Sequence, residues 1–296
     1  MLDTANNPRF WLARQINQVL TYIPVGDAIG TQFKLNERLL PKPTGETKLR
    51  TIMGFDILVD PAKRSGFIDN DLYYLGSYEP GVLRFMQTAC REHSVIIDVG
   101  ANIGAITLYA AKLVPKGRVL AFEPLPEIMK DLVANVRLNN VNHVSLHQVA
   151  LGSRATRAQI RPDLTERGSS SLLSYGSSGH EFGALVDIEI RTLDEFTNGL
   201  ERVDLIKIDV EGYEAEVLRG ATQTIARYRP DIVLEYDPES ELRAALDRFV
   251  NELPYQKFSL SRGKHYRSKL IALDDLASLP TNKLSTLILR PSFSGS

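Results

Sequence analysis

One cysteine, Cys90, is present in 296 residues. A lone thiol closes no internal disulfide and builds no thiolate zinc site. Charge of one sign is also missing, because 35 Lys and Arg stand against 36 Asp and Glu. That balance gives no electrostatic footprint for nucleic acid or for an anionic surface. No apolar run is long enough to span a bilayer, and no basic start followed by an apolar stretch and a cleavage site opens the chain. Internal repeats are absent. The nearest approach to low complexity is Gly168-Ser169-Ser170-Ser171 with Gly176-Ser177-Ser178-Gly179, the composition of a mobile loop. The expectation is a reduced, cytoplasmic, globular protein without stable membrane insertion. Hydrophobic residues at 43% and charged residues at 24% are ordinary globular usage, and the length supports a substantial core in one large domain or two modest ones.

The first ninety residues differ from the rest. Asn7 and Pro8 suit the cap and first position of a helix, after which Leu12, Ile16, Val19, Leu20 and Ile23 share one face until Pro24. Only Arg9 and Arg14 add positive charge along it, so the stripe suits packing on the main domain or on a second subunit better than on lipid. Pro41-Lys42-Pro43-Thr44-Gly45 reads as a linker. Residues 1–50 are therefore an N-terminal helical extension. Residues 51–93 are a lead-in, with a strand from Thr51 to Asp60 and a turn at Gly76-Ser77-Tyr78-Glu79-Pro80-Gly81 entering a helix.

From 94 to 296 the pattern is regular. Strands at Val95-Ile96-Ile97, Val119 to Phe122 and Val144 to Val149 alternate with helices at Ala105 to Leu113 and Ile128 to Leu138. An irregular stretch, 152–185, precedes an added strand at Val186 to Ile190 and a buried one at Leu205 to Ile208. Helix Ala215 to Arg227, strand Ile232 to Leu234, helix Glu239 to Val250 and strands at Lys257 to Leu260 and Leu284 to Leu289 complete the series. Alternation of this kind predicts an α/β fold with a mostly parallel sheet covered on both faces. The last strand follows a loop instead of a crossover helix, which permits it to run antiparallel.

Asp98-Val99-Gly100-Ala101-Asn102-Ile103-Gly104 lies between a strand and a helix, where open α/β sheets bind ligands. Gly100 and Gly104 would let backbone pass close to a ligand. The dinucleotide fingerprint is not matched, since Asn102 and Ala105 stand where it has glycine. Glu123 ends the second strand, twenty-three residues after Gly100. A carboxylate there can accept hydrogen bonds from both hydroxyls of a ribose.

These segments, with Ala121-Phe122-Glu123-Pro124, Asn135 to Asn139, Ile206-Lys207-Ile208-Asp209-Val210-Glu211-Gly212-Tyr213-Glu214 and Val217-Leu218-Arg219-Gly220-Ala221, together resemble the FkbM family of S-adenosylmethionine-dependent methyltransferases over roughly residues 76–236. The Tyr78-Glu79-Pro80 turn and Ser169-Ser170-Ser171-Leu172 also resemble family features. The resemblance implies a class I (Rossmann-like) methyltransferase sheet of seven strands, order 3-2-1-4-5-7-6 with strand 7 antiparallel. It implies S-adenosyl-L-methionine as cofactor, S-adenosyl-L-homocysteine as product, and a sugar, polyketide or other small hydroxylated metabolite as acceptor. By position, Gly100, Ala101, Asn102 and Gly104 would line the methionine part of the cofactor and Asp98 would reach its amino group. Glu123 would hold the ribose and Pro124 would lie beside the adenine. The third strand would supply an adenine contact through the Gln148 side chain or the Ala150 backbone.

Asp209 and Glu211 follow the fourth strand, where the acceptor lies in this fold. They could grip the acceptor hydroxyl, take its proton or hold a divalent metal that acidifies it; the residues alone do not separate these roles, nor exclude a helix-capping one. Glu235 opens onto the same sheet edge, and His265 in the polar loop Ser261 to Arg267 is a further candidate base. His93, His143 and His147 read as structural. Two other readings stand beside the methyltransferase: a nicotinamide-dependent oxidoreductase, disfavoured by Asn102 and Ala105, and a catalytically silent methyltransferase-like binding protein.

Overall fold

The computed structural model describes residues 2–4, 7–20, 28–62, 67–164, 182–237, 243–260, 268–279 and 285–292. His265, His180 and the Ser169 to Leu172 segment lie outside the described residues.

The N-terminal part comprises β1 (Leu2–Asp3), α1 (Pro8–Leu20), α2 (Ala28–Leu39), β2 (Thr47–Arg50), β3 (Asp56–Val59) and α3 (Phe67–Asn70), which runs into a π-helical turn at Asp71–Leu75 before α4 (Pro80–Ala89). The strand expected over Thr51 to Asp60 is instead one arm of a hairpin that straddles residue 50, with Thr47 opposite Val59 and Arg50 opposite Asp56. Thr51 makes the turn. Its backbone N–H and hydroxyl both donate to the Phe55 carbonyl at 2.9 Å, and Gly54 supplies the left-handed residue at φ 84°.

Helix α1 packs on the main body through Phe10, Ala13 and Asn17, each 2% exposed or less, whereas Leu12 is 43% exposed. The buried face is thus rotated from the Leu12–Ile16 stripe, for a polar reason. The Arg14 guanidinium donates to the carbonyls of Leu72, Tyr73 and Tyr74 at 3.0–3.2 Å, and the Asn17 and Asn36 amides both donate to the Tyr74 carbonyl. The Leu72 carbonyl also accepts from the Gly76 N–H, and the Tyr73 and Tyr74 carbonyls at the end of the helical turn take these side-chain donors as partners.

The remaining elements are β4 (Val95–Val99), α5 (Ala105–Leu113), β5 (Arg118–Phe122), α6 (Pro126–Leu138), β6 (Val144–His147), β7 (Ala150–Leu151), β8 (Thr156–Ile160), β9 (Val186–Arg191), α7 (Leu193–Thr197), β10 (Leu205–Ile208), α8 (Glu214–Arg219), α9 (Thr222–Tyr228), β11 (Asp231–Tyr236), α10 (Arg243–Glu252), β12 (Tyr255–Leu260), β13 (Leu270–Leu273) and β14 (Ser285–Pro291). The helix expected from Ala215 to Arg227 is broken at Gly220, whose Cα passes so near the Gly152 carbonyl that a Cβ would lie 2.0 Å from it.

The main sheet runs β6-β5-β4-β10-β11-β14-β12-β13. The first five strands are mutually parallel, and β14 is antiparallel to both β11 and β12. The sheet has eight strands where seven were expected, because β13 folds back on the edge of β12. The added strand β9 joins β7 and β8 in a second, three-stranded sheet. Period-2 alternation splits the core between the two faces of the main sheet: Ile96, Val119, Ala121 and Leu205 on one, Ile97, Val99, Leu120, Phe122, Ile206 and Ile208 on the other.

Two asparagines, Asn135 on α6 and Asn139 at its C-terminal cap, fasten the N-terminal hairpin to this body. The Asn135 side chain accepts from the Leu58 N–H at 2.7 Å and donates to the Ile103 carbonyl at 2.8 Å. One turn on, Asn139 pairs with both backbone groups of Asp56. They satisfy the open edge of β3 with side chains instead of another strand.

Candidate active site

Strands β4, β5, β10 and β11 run the same way, so the loops after them converge on one edge of the sheet. Between them lies a pocket lined by Gly100, Ala101 and Asn102 after β4, Glu123 and Pro124 after β5, Val149, Ala150 and Leu151 after β6, and Asp209, Val210 and Glu211 after β10. Ile68 and Tyr78 from the lead-in and Ile160 and Ile188 from the second sheet close its walls.

The turn after β4 is held by its own backbone. The Gly100 and Ala101 N–H groups both donate to the Phe122 carbonyl, at 3.0 and 2.9 Å. Gly100 is demanded by the protein before any ligand: a Cβ there, at φ 79°, would lie 1.8 Å from the Asp209 carbonyl oxygen. A Cβ on Gly104 would meet the Leu132 side chain at 2.6 Å, and Gly104 is not part of the pocket lining. The glycines therefore bring β4 against β10 and α5 against α6; closeness to a ligand follows from that for Gly100 alone. Asn102 has φ 49° and its side chain accepts from the next N–H, of Ile103, at 2.8 Å, a local bond that makes this conformation tolerable for asparagine.

Glu123 is 6% exposed. One oxygen accepts from the Asn102 N–H at 3.1 Å and the other from the Leu125 N–H at 3.0 Å. Each carboxylate oxygen has two lone pairs, so one per oxygen is left for a diol in the pocket. Burial pushes this carboxyl up to about 7, although the two backbone N–H groups pull the other way.

Asp98 is wholly buried behind the turn. Its Oδ2 accepts from the Thr107 hydroxyl at 2.6 Å, while Oδ1 has no hydrogen-bond partner. Burial raises its pKa, against the pull of Lys207 and Thr107. Lys207, 4% exposed in the middle of β10, places Nζ 2.8 Å from Asp209 Oδ2 and 4.0 Å from Asp98 Oδ1. Burial alone would lower the lysine; the attraction of Asp209, then of Asp98 and Glu79, overrides it and holds the ammonium above its ordinary range.

At the other end of the pocket lie Asp209 and Glu211, and Glu235, which does not line it, stands beside them; each of the three offers an oxygen within 4.8 Å of the others. Glu211 is held at φ 52° and Gly212 at φ 95° because the buried Glu214 carboxylate accepts from the N–H groups of Gly212 at 3.1 Å and Val210 at 3.3 Å. Burial, then repulsion from Asp209, Glu211 and Glu79, pushes Glu235 up to about 10. Tyr78 faces the same carboxylates, and burial together with Glu79 and Asp209 keeps its phenol neutral.

Of the residues singled out from sequence, Gly100, Ala101, Asn102, Glu123, Pro124, Ala150, Asp209 and Glu211 line one pocket, with Asp98 buried behind it and Glu235 beside it. Gln148 does not: it is exposed after β6 and only Ala150 of that pair lines the pocket. His147 stacks on the pocket-lining Phe122 with ring centroids 4.9 Å apart and His143 contacts the Ala111 carbonyl at 2.9 Å, and neither histidine lines the pocket itself. Lys207, Tyr78 and Ile188 also line it and were not named as site residues, although Lys207 and Tyr78 lie in segments that carry the family resemblance. For Lys207 a signal existed, since a lysine inside the otherwise apolar Leu205–Ile208 strand must be paired to be buried.

This is an α/β protein whose mostly parallel sheet brings a buried carboxylate, Glu123, and an acidic cluster to one edge. A model of the methyltransferase FkbM domain matches residues 98–260, and the chain belongs to that family. It is 33% identical over 146 residues to Methyltransferase 1 of Beauveria bassiana, covering 44% of this chain and 59% of that relative. It is 29% identical over 175 residues to the 2-O-methyltransferase NoeI of Sinorhizobium fredii, covering 52% and 70%. Among solved structures, methyltransferase FkbM from Methylobacillus flagellatus aligns with TM-score 0.47 and 16% identity over 74% of this chain and 52% of that one. No described helix is long and apolar enough to cross a membrane.

Proposed function

We propose that this chain is an S-adenosylmethionine-dependent O-methyltransferase that acts on a hydroxyl of a small metabolite such as a sugar or polyketide product. The observation that carries the reading is the single pocket in which Glu123 and the acidic cluster around Asp209 face one space. Membership of the FkbM family and the similarity to NoeI support it.

The residues fit the cofactor. Glu123 keeps an acceptor site on each oxygen for the two ribose hydroxyls, and the orphaned Asp98 Oδ1 suits an ammonium donor. Pro124, Ile128 and Leu151 give the apolar wall a purine needs. When bound, S-adenosylmethionine supplies an electrophilic methyl group on a sulfonium. The chain's own task is to hold an acceptor oxygen in line with that methyl and to receive its proton. Asp209, fixed by Lys207, accepts the hydroxyl proton; Glu235, neutral at physiological pH, donates a hydrogen bond and orients the acceptor. Pocket walls from the second sheet and from Tyr78 exclude water.

The test is calorimetric titration with S-adenosylhomocysteine and, in parallel, NADH. A panel of hydroxylated metabolites with methyl-labelled S-adenosylmethionine follows, with and without EDTA. Binding of S-adenosylhomocysteine alone and label in an ether are expected. Loss of transfer in EDTA would reassign the carboxylates to a divalent ion. NADH binding alone would overturn the reading, and binding without transfer to any acceptor would favour the silent binding protein.

A further inference from the structure

Lys207 sits at the junction of the two halves of the pocket. On β10 it is the register partner of Asp98 on β4, so its side chain rises beside that carboxylate, and two residues on it meets Asp209. The charged groups around it are Asp98 on β4, Asp209 beyond β10, Glu79 ahead of α4 and Glu123 beyond β5. It is the sole cation facing these groups among the described residues lining the pocket. One ammonium at 2.8 Å from Asp209 and 4.0 Å from the unbonded Asp98 oxygen serves one carboxylate fully and the other in part.

We propose that Lys207 is a positioning residue that couples the cofactor half of the site to the acceptor half, keeping Asp98 open for the cofactor's ammonium while it fixes Asp209 for the acceptor. This rests on the methyltransferase reading above. The geometry has two consequences. With Lys207 present, Asp209 holds the ammonium away from Asp98, so an incoming ammonium finds Asp98 without a competing hydrogen bond. Without Lys207 the wholly buried Asp98 loses the cation that opposes its desolvation, which favours a proton on its carboxyl. A ligand ammonium arriving at Asp98 then expels that proton to solvent.

The experiment is titration of S-adenosylhomocysteine into the intact wild-type chain, Lys207→Met, Asp209→Asn and the double variant, in two buffers of different ionisation enthalpy at pH 7. Lys207→Met should release more protons on binding than wild type, up to about one per site. Methionine preserves bulk, so a lysine that merely packs would leave the proton count unchanged, and that result overturns the proposal. Asp209→Asn frees the ammonium to swing to Asp98 and compete. Its affinity should fall about tenfold, with the double variant returning to within about threefold of wild type. If Lys207→Met does not fold, this second comparison decides, because the double variant removes both charges together. An Asp209→Asn affinity equal to wild type, or a double variant as weak as Asp209→Asn, overturns the coupling. Failure of the wild-type chain to bind S-adenosylhomocysteine overturns the cofactor reading itself, and the proposal with it.

Discussion

Glu123→Gln is the substitution whose consequences the structure fixes most tightly. In the folded chain Glu123 keeps its proton up to about pH 7, against the ordinary 4.5. Between those values the folded state binds more protons than the unfolded chain. The group's contribution to stability is therefore complete below about pH 4.5 and is lost as pH rises through 7, a change of about 3 kcal/mol for this buried carboxyl. Cofactor affinity should run the other way. Only the carboxylate form leaves both oxygens as acceptors for a ribose diol, so S-adenosylhomocysteine should bind more weakly as pH falls below 7, by up to about tenfold per unit. Glutamine abolishes both dependences. Its NH₂ group must also face one of the N–H donors of Asn102 and Leu125, which leaves that donor unpaired at about 1–3 kcal/mol. At pH 8, loss of a hydroxyl bond to a charged acceptor should weaken S-adenosylhomocysteine by about 1.5–3 kcal/mol, roughly 10- to 150-fold. Calorimetric titration from pH 5.5 to 8.5, paired with thermal melts, reads all of this. A wild-type affinity flat across that range, or a Gln variant that binds like wild type at pH 8, refutes the assignment.

Gly100→Ala should destabilise by about 2–5 kcal/mol in urea unfolding, because the new Cβ and the Asp209 carbonyl cannot share their space and φ is 79°; a change below 1 kcal/mol would show that the two loops separate freely. Asn135→Ala leaves the Leu58 N–H and the Ile103 carbonyl without their partner. It should cost about 2–4 kcal/mol and expose the N-terminal hairpin to limited proteolysis, and an unchanged cleavage pattern would count against the docking role. Glu235→Gln should raise the melting temperature at pH 7, because the native side chain must take up a proton on folding that the ionised carboxylate of the unfolded chain lacks. Because the folded pKa is raised to about 10, wild type loses stability as pH climbs towards that value, so the variant's melting temperature should fall less between pH 7 and 10. Parallel slopes would remove Glu235 from the acidic cluster.

Local features of the chain were legible because their causes are local. The strand–turn–helix at Asp98 to Gly104, the Glu123-Pro124 strand end and the Asp209 to Glu214 turn each declare themselves within a few residues. The same limit explains what was misread. The hairpin from Thr47 to Val59 depends on a Thr51–Phe55 pairing inside a stretch that otherwise reads as one strand. The buried face of α1 is chosen by Tyr74 and its neighbours, 57 or more residues away. Gln148 and Ala150, two residues apart, would share a face of a continuous strand, and only the break between β6 and β7 leaves the first exposed and the second in the pocket lining.

The sequence by itself determined the parallel α/β pattern and most of the residues that meet at the sheet edge, since periodicity and turn chemistry are properties of short segments. Tertiary structure alone decided why Gly100 must be glycine, because its clash is with Asp209 across a strand pair. It alone joined Glu235 to Asp209 and Glu211, and set one buried ammonium between Asp98 and Asp209. Charges separated by more than a hundred residues share a site only after β4 and β10 pair, and only then does desolvation give their arrangement its chemical force.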